Sequence, residues 1–217
     1  TPLPELAAPV QALAQKIAAS PGLSFGGVQA YHGGAQHVRS FDERRAAITK
    51  AEDMVRATRD LLRQHGLECR TIGGAGTGTY AFEGAGKLYN ELQVGSYAFM
   101  DVDYAKNRAQ DGGGFNDFEH ALFVLGHVMS RATPTVAVTD AGLKAMTFEC
   151  GMPLVKDVPG AEYVSPSDEH GKLTVPADCT LKLGDRVWLI PPHCDPCVNL
   201  HDWYVCVRGG RAHGRVE

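Results

Sequence analysis

No apolar run in this chain approaches the ~20 residues that a membrane-spanning helix requires, so no membrane span is expected. The first residues show no basic segment followed by an apolar one, the pattern of a secretory leader. Charge of one sign is scarce as well. The net charge is -4, and no polybasic stretch offers a footprint for nucleic acid or an anionic lipid surface. Cysteine is sparse: Cys69, Cys150, Cys179, Cys194, Cys197 and Cys206 are too few for a disulfide framework. Cys194, Cys197 and Cys206 crowd near the end, which suits a local site in a reducing compartment, and a cytoplasmic protein is expected. Internal repeats and low-complexity segments are lacking. What is present is an ordinary globular composition: 217 residues, 44% hydrophobic and 21% charged, enough for one large domain or two small ones.

The first half alternates helix and strand patterns. Val10, Leu13, Ala14, Ile17 and Ala18 follow helical spacing, with Pro9 suited to the first turn and Pro21-Gly22 as the stop. Residues 23–30 read as a strand, 41–65 as a long amphipathic helix closed by Gly66, 69–72 as a short strand and 91–100 as another. The second half holds short β-type runs at 123–129, 135–138, 162–165, 172–175 and 186–190, and ends in a hairpin from 203 onward. The expected fold class is therefore α/β followed by all-β. The glycine-rich link Gly112-Gly113-Gly114 divides it into domains 1–110 and 111–217. The first part supplies about three βα units, too few to close a (β/α)8 barrel. Its strand edge near 23–30 should be open, and a missing N-terminal barrel segment is expected to cover it.

Two stretches carry chemistry. Gly74-Ala75-Gly76-Thr77-Gly78-Thr79 directly follows a strand, so its backbone N–H groups can converge on an anion such as phosphate, with hydroxyls as further donors. No Gly-Lys-Ser/Thr follows, which excludes a Walker loop. A tight strand-to-helix turn without a ligand is the alternative. The second stretch is His193-Cys194-Asp195-Pro196-Cys197, after Pro191-Pro192. Its cysteines suggest a zinc knuckle or a redox pair, but a second Cys-x-x-Cys and a thioredoxin-like βαβ pattern are both missing. Read as extended chain, the segment puts His193 and Asp195 on one face and turns Cys194 away. One imidazole and one carboxylate leave coordination positions open, as a catalytic cation needs. A polar strand end with a buried cysteine is the other reading. His170, in Asp168-Glu169-His170-Gly171, is either a base or part of a hydrophilic turn. Tyr31-His32 and Gln36-His37 sit where a barrel strand should end, the usual place for catalytic groups, and a polar loop is the other reading. Lys144 lies in the β half and reads as structural.

Five motifs, in order, resemble a single family: Gly73-Gly74-x-Gly76-Thr77-Gly78-Thr79-Tyr80, Tyr89-Asn90-Glu91-Leu92-Gln93-x-Gly95-Ser96-Tyr97-x-Phe99-Met100-Asp101, Asp140-Ala141-Gly142-Leu143-Lys144, Ser167-Asp168-Glu169-His170-Gly171 and His193-Cys194-Asp195-Pro196. It is the family of D-threonine aldolases, 3-hydroxy-D-aspartate aldolases and D-serine dehydratase-like enzymes, and the resemblance covers nearly the whole chain. It implies an alanine-racemase-like architecture, in which a (β/α)8 barrel holds pyridoxal phosphate and a β-strand-rich domain follows. This chain would be the C-terminal part. By the resemblance, Gly74, Gly76, Thr77 and Gly78 cradle the cofactor phosphate, with Tyr31 and Tyr97 also at the cofactor. His193 and Asp195 would bind a divalent metal (Mg, Mn or Zn), and His193, Asp195 and His170 would be the catalytic groups.

The implied activity is pyridoxal-phosphate- and metal-dependent cleavage of 3-hydroxy-D-aspartate or D-threonine to glycine and an aldehyde, by a homodimer when intact. Dehydratase members resemble His-x-Cys at the metal position, so His193-x-Asp195 favours the aldolase. Dehydration of D-serine or hydroxyaspartate, and a non-catalytic metal-binding piece, are the alternatives. His201-Asp202-Trp203-Tyr204 reads closer to hydroxyaspartate-cleaving members. The family's cofactor lysine lies in a basic, His-containing segment early in the barrel, which nothing in residues 1–217 matches. Lys16 and Lys50 fall on amphipathic helices, Lys87 and Lys106 in polar loops, and Lys144, Lys156, Lys172 and Lys182 in the β half. Ala75 stands where a glycine is common in the family.

Overall fold

The computed structural model describes residues 3–216, with side chains from residue 7 onward. The chain folds as two units, residues 3–97 with 106–116, and residues 98–105 with 117–216.

In the first unit, α1 (Leu3–Ala19), β1 (Gly27–Gln29), α2 (Phe41–Gln64), β2 (Thr71–Gly74), α3 (Tyr80–Ala85) and β3 (Glu91–Leu92) alternate. The strands form a parallel sheet in the order β1-β2-β3. α1 starts earlier than the apolar spacing suggested. Pro9 therefore lies inside the helix, where it forgoes a ladder bond, and not in the first turn. α2 has the ends its sequence promises. The Ser40 hydroxyl accepts the Glu43 N–H at 3.4 Å, and Asp42 and Glu43 favour the positive end of the helix. At the other end Gly66 adopts φ 72, its N–H bonds Arg63 O at 3.1 Å, and the Leu67 N–H bonds Leu62 O at 3.0 Å. This pairing needs a left-handed residue, which glycine provides without strain. Arg44, Ile48, Val55 and Leu62 form the buried stripe. The Arg44 guanidinium donates to Val38 O at 2.7 Å and Arg108 O at 2.9 Å, which fixes the start of α2. A small core joins Val55, Ile72, Leu88 and Tyr89. Each fully buried aliphatic side chain here is worth ~1.5–3 kcal/mol. Among the described residues, β1 and β3 are paired on one side only, and Leu13 and Leu23 lie exposed.

The second unit contains α4 (Val102–Ala105) and the strands β4 (Val124–Thr133), β5 (Val136–Thr139), β6 (Leu154–Lys156), β7 (Glu162–Pro166), β8 (Gly171–Thr174) and β9 (Arg186–Ile190). They form an antiparallel sheet in the order β6-β9-β4-β5-β8-β7. Alternation drives it: Ala137 and Thr139 of β5, Leu173 of β8, and Val187 and Leu189 of β9 all point into one core, with Val128 and Met146. α5 (Cys194–Val198) and the hairpin β10 (Tyr204–Arg208) and β11 (Arg211–Val216) complete it. Two segments differ from their expected form. Residues 91–100 are strand only at Glu91–Leu92, and the His193 segment runs into a helix, α5. No helix among the described residues is long and apolar enough to cross a membrane.

Candidate functional site

Residues 72–79, from β2 into the following loop, are all buried. Gly74 belongs to the strand, not the loop. A Cβ there would lie 2.6 Å from the Tyr89 ring and 2.9 Å from Ala30 O, so glycine is a packing requirement. Gly76 and Gly78 repeat this: a Cβ on Gly76 would meet Gln36 Oε1 at 2.6 Å and the Tyr31 hydroxyl at 2.8 Å, and one on Gly78 would meet Gln36 O at 2.6 Å. Gln36 organises the loop. Its Oε1 accepts the Gly78 N–H at 3.0 Å, and its Nε2 donates to Thr79 Oγ1 at 2.9 Å. Thr79 Oγ1 donates in turn to Glu83 Oε1 at 3.0 Å. Glu83 is buried with Oε2 unpartnered, and burial pushes its carboxyl up to about 7, with the nearby Glu52 charge adding to the rise.

Ala75 adopts φ 65 with its side chain wholly buried, a left-handed backbone that costs a non-glycine residue ~1–2 kcal/mol. The N–H groups of Ala75 and Thr77 find no acceptor among the described residues, although both residues are buried. Buried amide donors need a partner, and a phosphate has oxygens enough to supply one, so the loop fits such a group. Thr77 Oγ1 also accepts the Tyr97 N–H at 3.0 Å. Tyr31 and Tyr97 are half-exposed beside this loop. The Gly78 N–H, in contrast, is already committed to Gln36.

In the second unit, His193 precedes α5 with an extended backbone and no side-chain cap of its own. The cap comes from Asp101. Its Oδ2 accepts the Cys194 N–H at 3.0 Å and lies 2.7 Å from His193 Nδ1, while Oδ1 accepts the Tyr104 N–H at 2.9 Å in α4. One carboxylate thus caps two helix starts and holds an imidazole. Asp101 is wholly buried, as is Met100 before it, which adopts φ 51. The Val102 and Asp103 N–H groups donate to Pro191 O and Pro192 O at 3.1 and 3.0 Å, tying α4 to the chain that leads into His193. Burial pushes the Asp101 carboxyl up, but bonds from His193 and from the Tyr104 and Cys194 amides outweigh it and hold Asp101 below the usual carboxylate range. The same bond raises His193. On its other edge, His193 Nε2 lies 3.8 Å from Asp195 Oδ2, and the Asp195 side chain is 70% exposed.

His193 and Asp195 therefore approach one another, but as an N-cap and a first-turn helical residue, not as alternate residues of a strand. The helix also corrects the expectation for Cys194. Its Sγ does not turn away, but lies with Asp101 and His193 in a group whose potential ligand atoms are within 4.8 Å of one another. Cys194 and Cys197 are buried and in no disulfide, and burial pushes Cys197 up to about 11. Pro196 falls in the first turn of α5, where a missing N–H is tolerated. His170 lies in an exposed turn, its carbonyl accepting the Ser167 N–H at 2.7 Å. Among the described residues no hydrogen bond or ion pair joins it to His193 or Asp195. Lys144 pairs with Glu169 at 2.5 Å on the surface. The residue that sequence reasoning missed is Asp101. An aspartate three positions before Tyr104 is an N-cap signal, but nothing local points to a histidine 92 positions ahead.

A short parallel βα sheet followed by an antiparallel β unit defines the class: the fold is the one seen in alanine-racemase-like proteins. The crystal structure of an alanine-racemase-like protein from Idiomarina loihiensis shares the fold with a TM-score of 0.72 at 20% identity, over 91% of this chain and 55% of that one. The D-threonine aldolase from Filomicrobium marinum matches with a TM-score of 0.85 and 46% identity, over 93% of this chain and 53% of that chain. A 3-hydroxy-D-aspartate aldolase of Paracoccus denitrificans (strain Pd 1222) is 45% identical over 201 residues, which is 92% of this chain and 52% of that protein. A D-threonine aldolase of an Arthrobacter species is 46% identical over 202 residues, 93% of this chain and 52% of that protein. Residues 121–207 match the family described as "Putative serine dehydratase domain". The chain spans about half the length of the curated relatives it matches. Over that length it is similar to D-threonine aldolases and 3-hydroxy-D-aspartate aldolases.

Proposed function

We propose that this chain supplies the phosphate loop and the cation site of a pyridoxal-phosphate- and divalent-metal-dependent aldolase. The enzyme splits a D-β-hydroxy amino acid, 3-hydroxy-D-aspartate or D-threonine, into glycine and an aldehyde. The observation that carries the reading is the His193 and Asp195 pair: a nitrogen and an oxygen donor 3.8 Å apart, with the imidazole held from behind by a buried carboxylate. Such donors suit Mg, Mn or Zn, and two of them leave room for substrate. The Ala75 and Thr77 N–H groups are the donors left for the cofactor phosphate, with the Thr77 hydroxyl beside them. When bound, the cofactor withdraws electrons from the substrate Cα and the cation acidifies the β-hydroxyl. His193 and Asp195 hold that charge in place, and the buried loop excludes water from the phosphate.

The cofactor lysine comes, on this proposal, from the part of the relatives' length that this span does not cover. The same segment packs on the free edge of β1, and the intact enzyme is a cytoplasmic homodimer. Within the chain, Lys144 and Lys156 are already paired, with Glu169 and Asp157. The test is product analysis with the full-length protein. Glycine and aldehyde should form from 3-hydroxy-D-aspartate or D-threonine, and should disappear on chelation and in His193→Ala. Ammonia and a keto acid without glycine would instead support the dehydratase named in the match over 121–207. Absence of both products would leave a non-catalytic metal-binding role.

A further inference from the structure

We infer that Asp101 is a positioning residue: it fixes His193 as the tautomer protonated on Nδ1, so that Nε2 alone faces Asp195 and is free to take a cation. The inference rests on the cation reading above. The alternative is that Asp101 is itself a ligand, in a group with His193 and Cys194.

Three observations decide against that alternative. His193 Nδ1 and Asp101 Oδ2 are 2.7 Å apart, a hydrogen-bond separation. An ion ~2.0–2.2 Å from both atoms would subtend only about 80° between them, tighter than tetrahedral or octahedral coordination prefers. Next, both Asp101 oxygens are in use. Oδ1 accepts the Tyr104 N–H and Oδ2 accepts the Cys194 N–H, so ligation would uncap a helix start. Last, Asp101 is wholly buried whereas Asp195 is mostly exposed, so the way in for a hydrated cation lies on the Nε2 side. An acceptor-only carboxylate on Nδ1 requires the proton there and leaves the lone pair on Nε2. Carboxylates behind metal-binding histidines act in this way generally, and their loss weakens metal affinity by ~10–100-fold.

The experiment uses the full-length protein with ¹⁵N-labelled histidine. In alkaline buffer without metal, NMR of the His193 ring should show Nδ1 protonated and Nε2 bare, and Mn²⁺ should broaden the Nε2 signal first. Asp101→Asn, shown to be folded by circular dichroism, should populate both tautomers and raise the Mn²⁺ dissociation constant, read by EPR, by ~10–100-fold. Asp195→Ala should lose Mn²⁺ while keeping the wild-type tautomer. Protonated Nε2 in the wild-type protein, or wild-type Mn²⁺ affinity in folded Asp101→Asn, overturns the proposal. If Asp101→Asn fails to fold, the wild-type and Asp195→Ala spectra still decide it. Mn²⁺ binding that survives His193→Ala overturns the cation reading itself, and the tautomer spectrum separates that failure from a failure of Asp101's role.

Discussion

Glu83 in the first unit and Asp101 in the second are both buried carboxyls that brace a loop, yet near neutral pH the first is only partly ionised and the second fully so. Glu83 receives one hydroxyl bond, from Thr79, and leaves Oε2 without a partner, so burial dominates and the acid is held up to about 7. Asp101 takes two backbone amides and an imidazole, and these bonds outweigh a comparable burial and keep it ionised. The difference lies in the number of donors, not in depth. The loop after β2 is thus backed by a group poised between neutral and charged, and His193 by a permanent negative charge.

The sharpest way to break this contrast is Asp101→Ala. It strands the Tyr104 and Cys194 amides and the His193 ring, and should cost about 3–5 kcal/mol in chemical denaturation. A cost below about 1 kcal/mol would mean that the bonds to Asp101 are replaced by water. The next effect is the pH dependence of Glu83. Its folded value lies above the ordinary one, so its contribution is fully present below the ordinary value and is lost as pH rises through about 7. Stability should fall by about 1–3 kcal/mol between about pH 5 and about pH 8, and Glu83→Gln should flatten that slope. The Asp101–His193 pair behaves differently at the acid end. Asp101 is depressed, so its contribution vanishes as pH falls through that lowered value, and His193, which is raised, loses its contribution as pH rises through its own. A Glu83→Gln slope identical to wild type would show that the pair, not Glu83, sets the alkaline limb. The smallest effect is at Ala75, where φ 65 strains the backbone. Ala75→Gly should raise stability by up to about 1 kcal/mol, reduced by the buried methyl it removes, as read from the melting temperature.

Much of this was legible in the sequence wherever the causes are local. α2 shows its Ser40 cap, its 3.6-residue stripe and its Gly66 stop in plain text, and the strands β5, β8 and β9 show their alternation. The His193 segment was misread because two prolines precede it and one lies inside it, which favours extended chain. The helix forms because Asp101, distant in sequence, caps its first amide. Gly74, which the resemblance places in the phosphate cradle, has a further reason to be glycine: Tyr89 and Ala30 leave no room for a side chain. In both cases the deciding neighbour lies far along the chain, where periodicity and spacing carry no information.

Met100 holds a left-handed backbone at φ 51 while its side chain is wholly enclosed, and it is the hinge from which Asp101 is aimed. No single substitution improves both properties. Glycine would relax the backbone by about 1–2 kcal/mol but empty a filled interior position at about 2–5 kcal/mol, and any other residue retains the turn. A mutational scan for stabilised variants should therefore return position 100 unchanged. The aim of the neighbouring carboxylate is insulated from sequence drift by a local optimum that one-step substitution cannot leave.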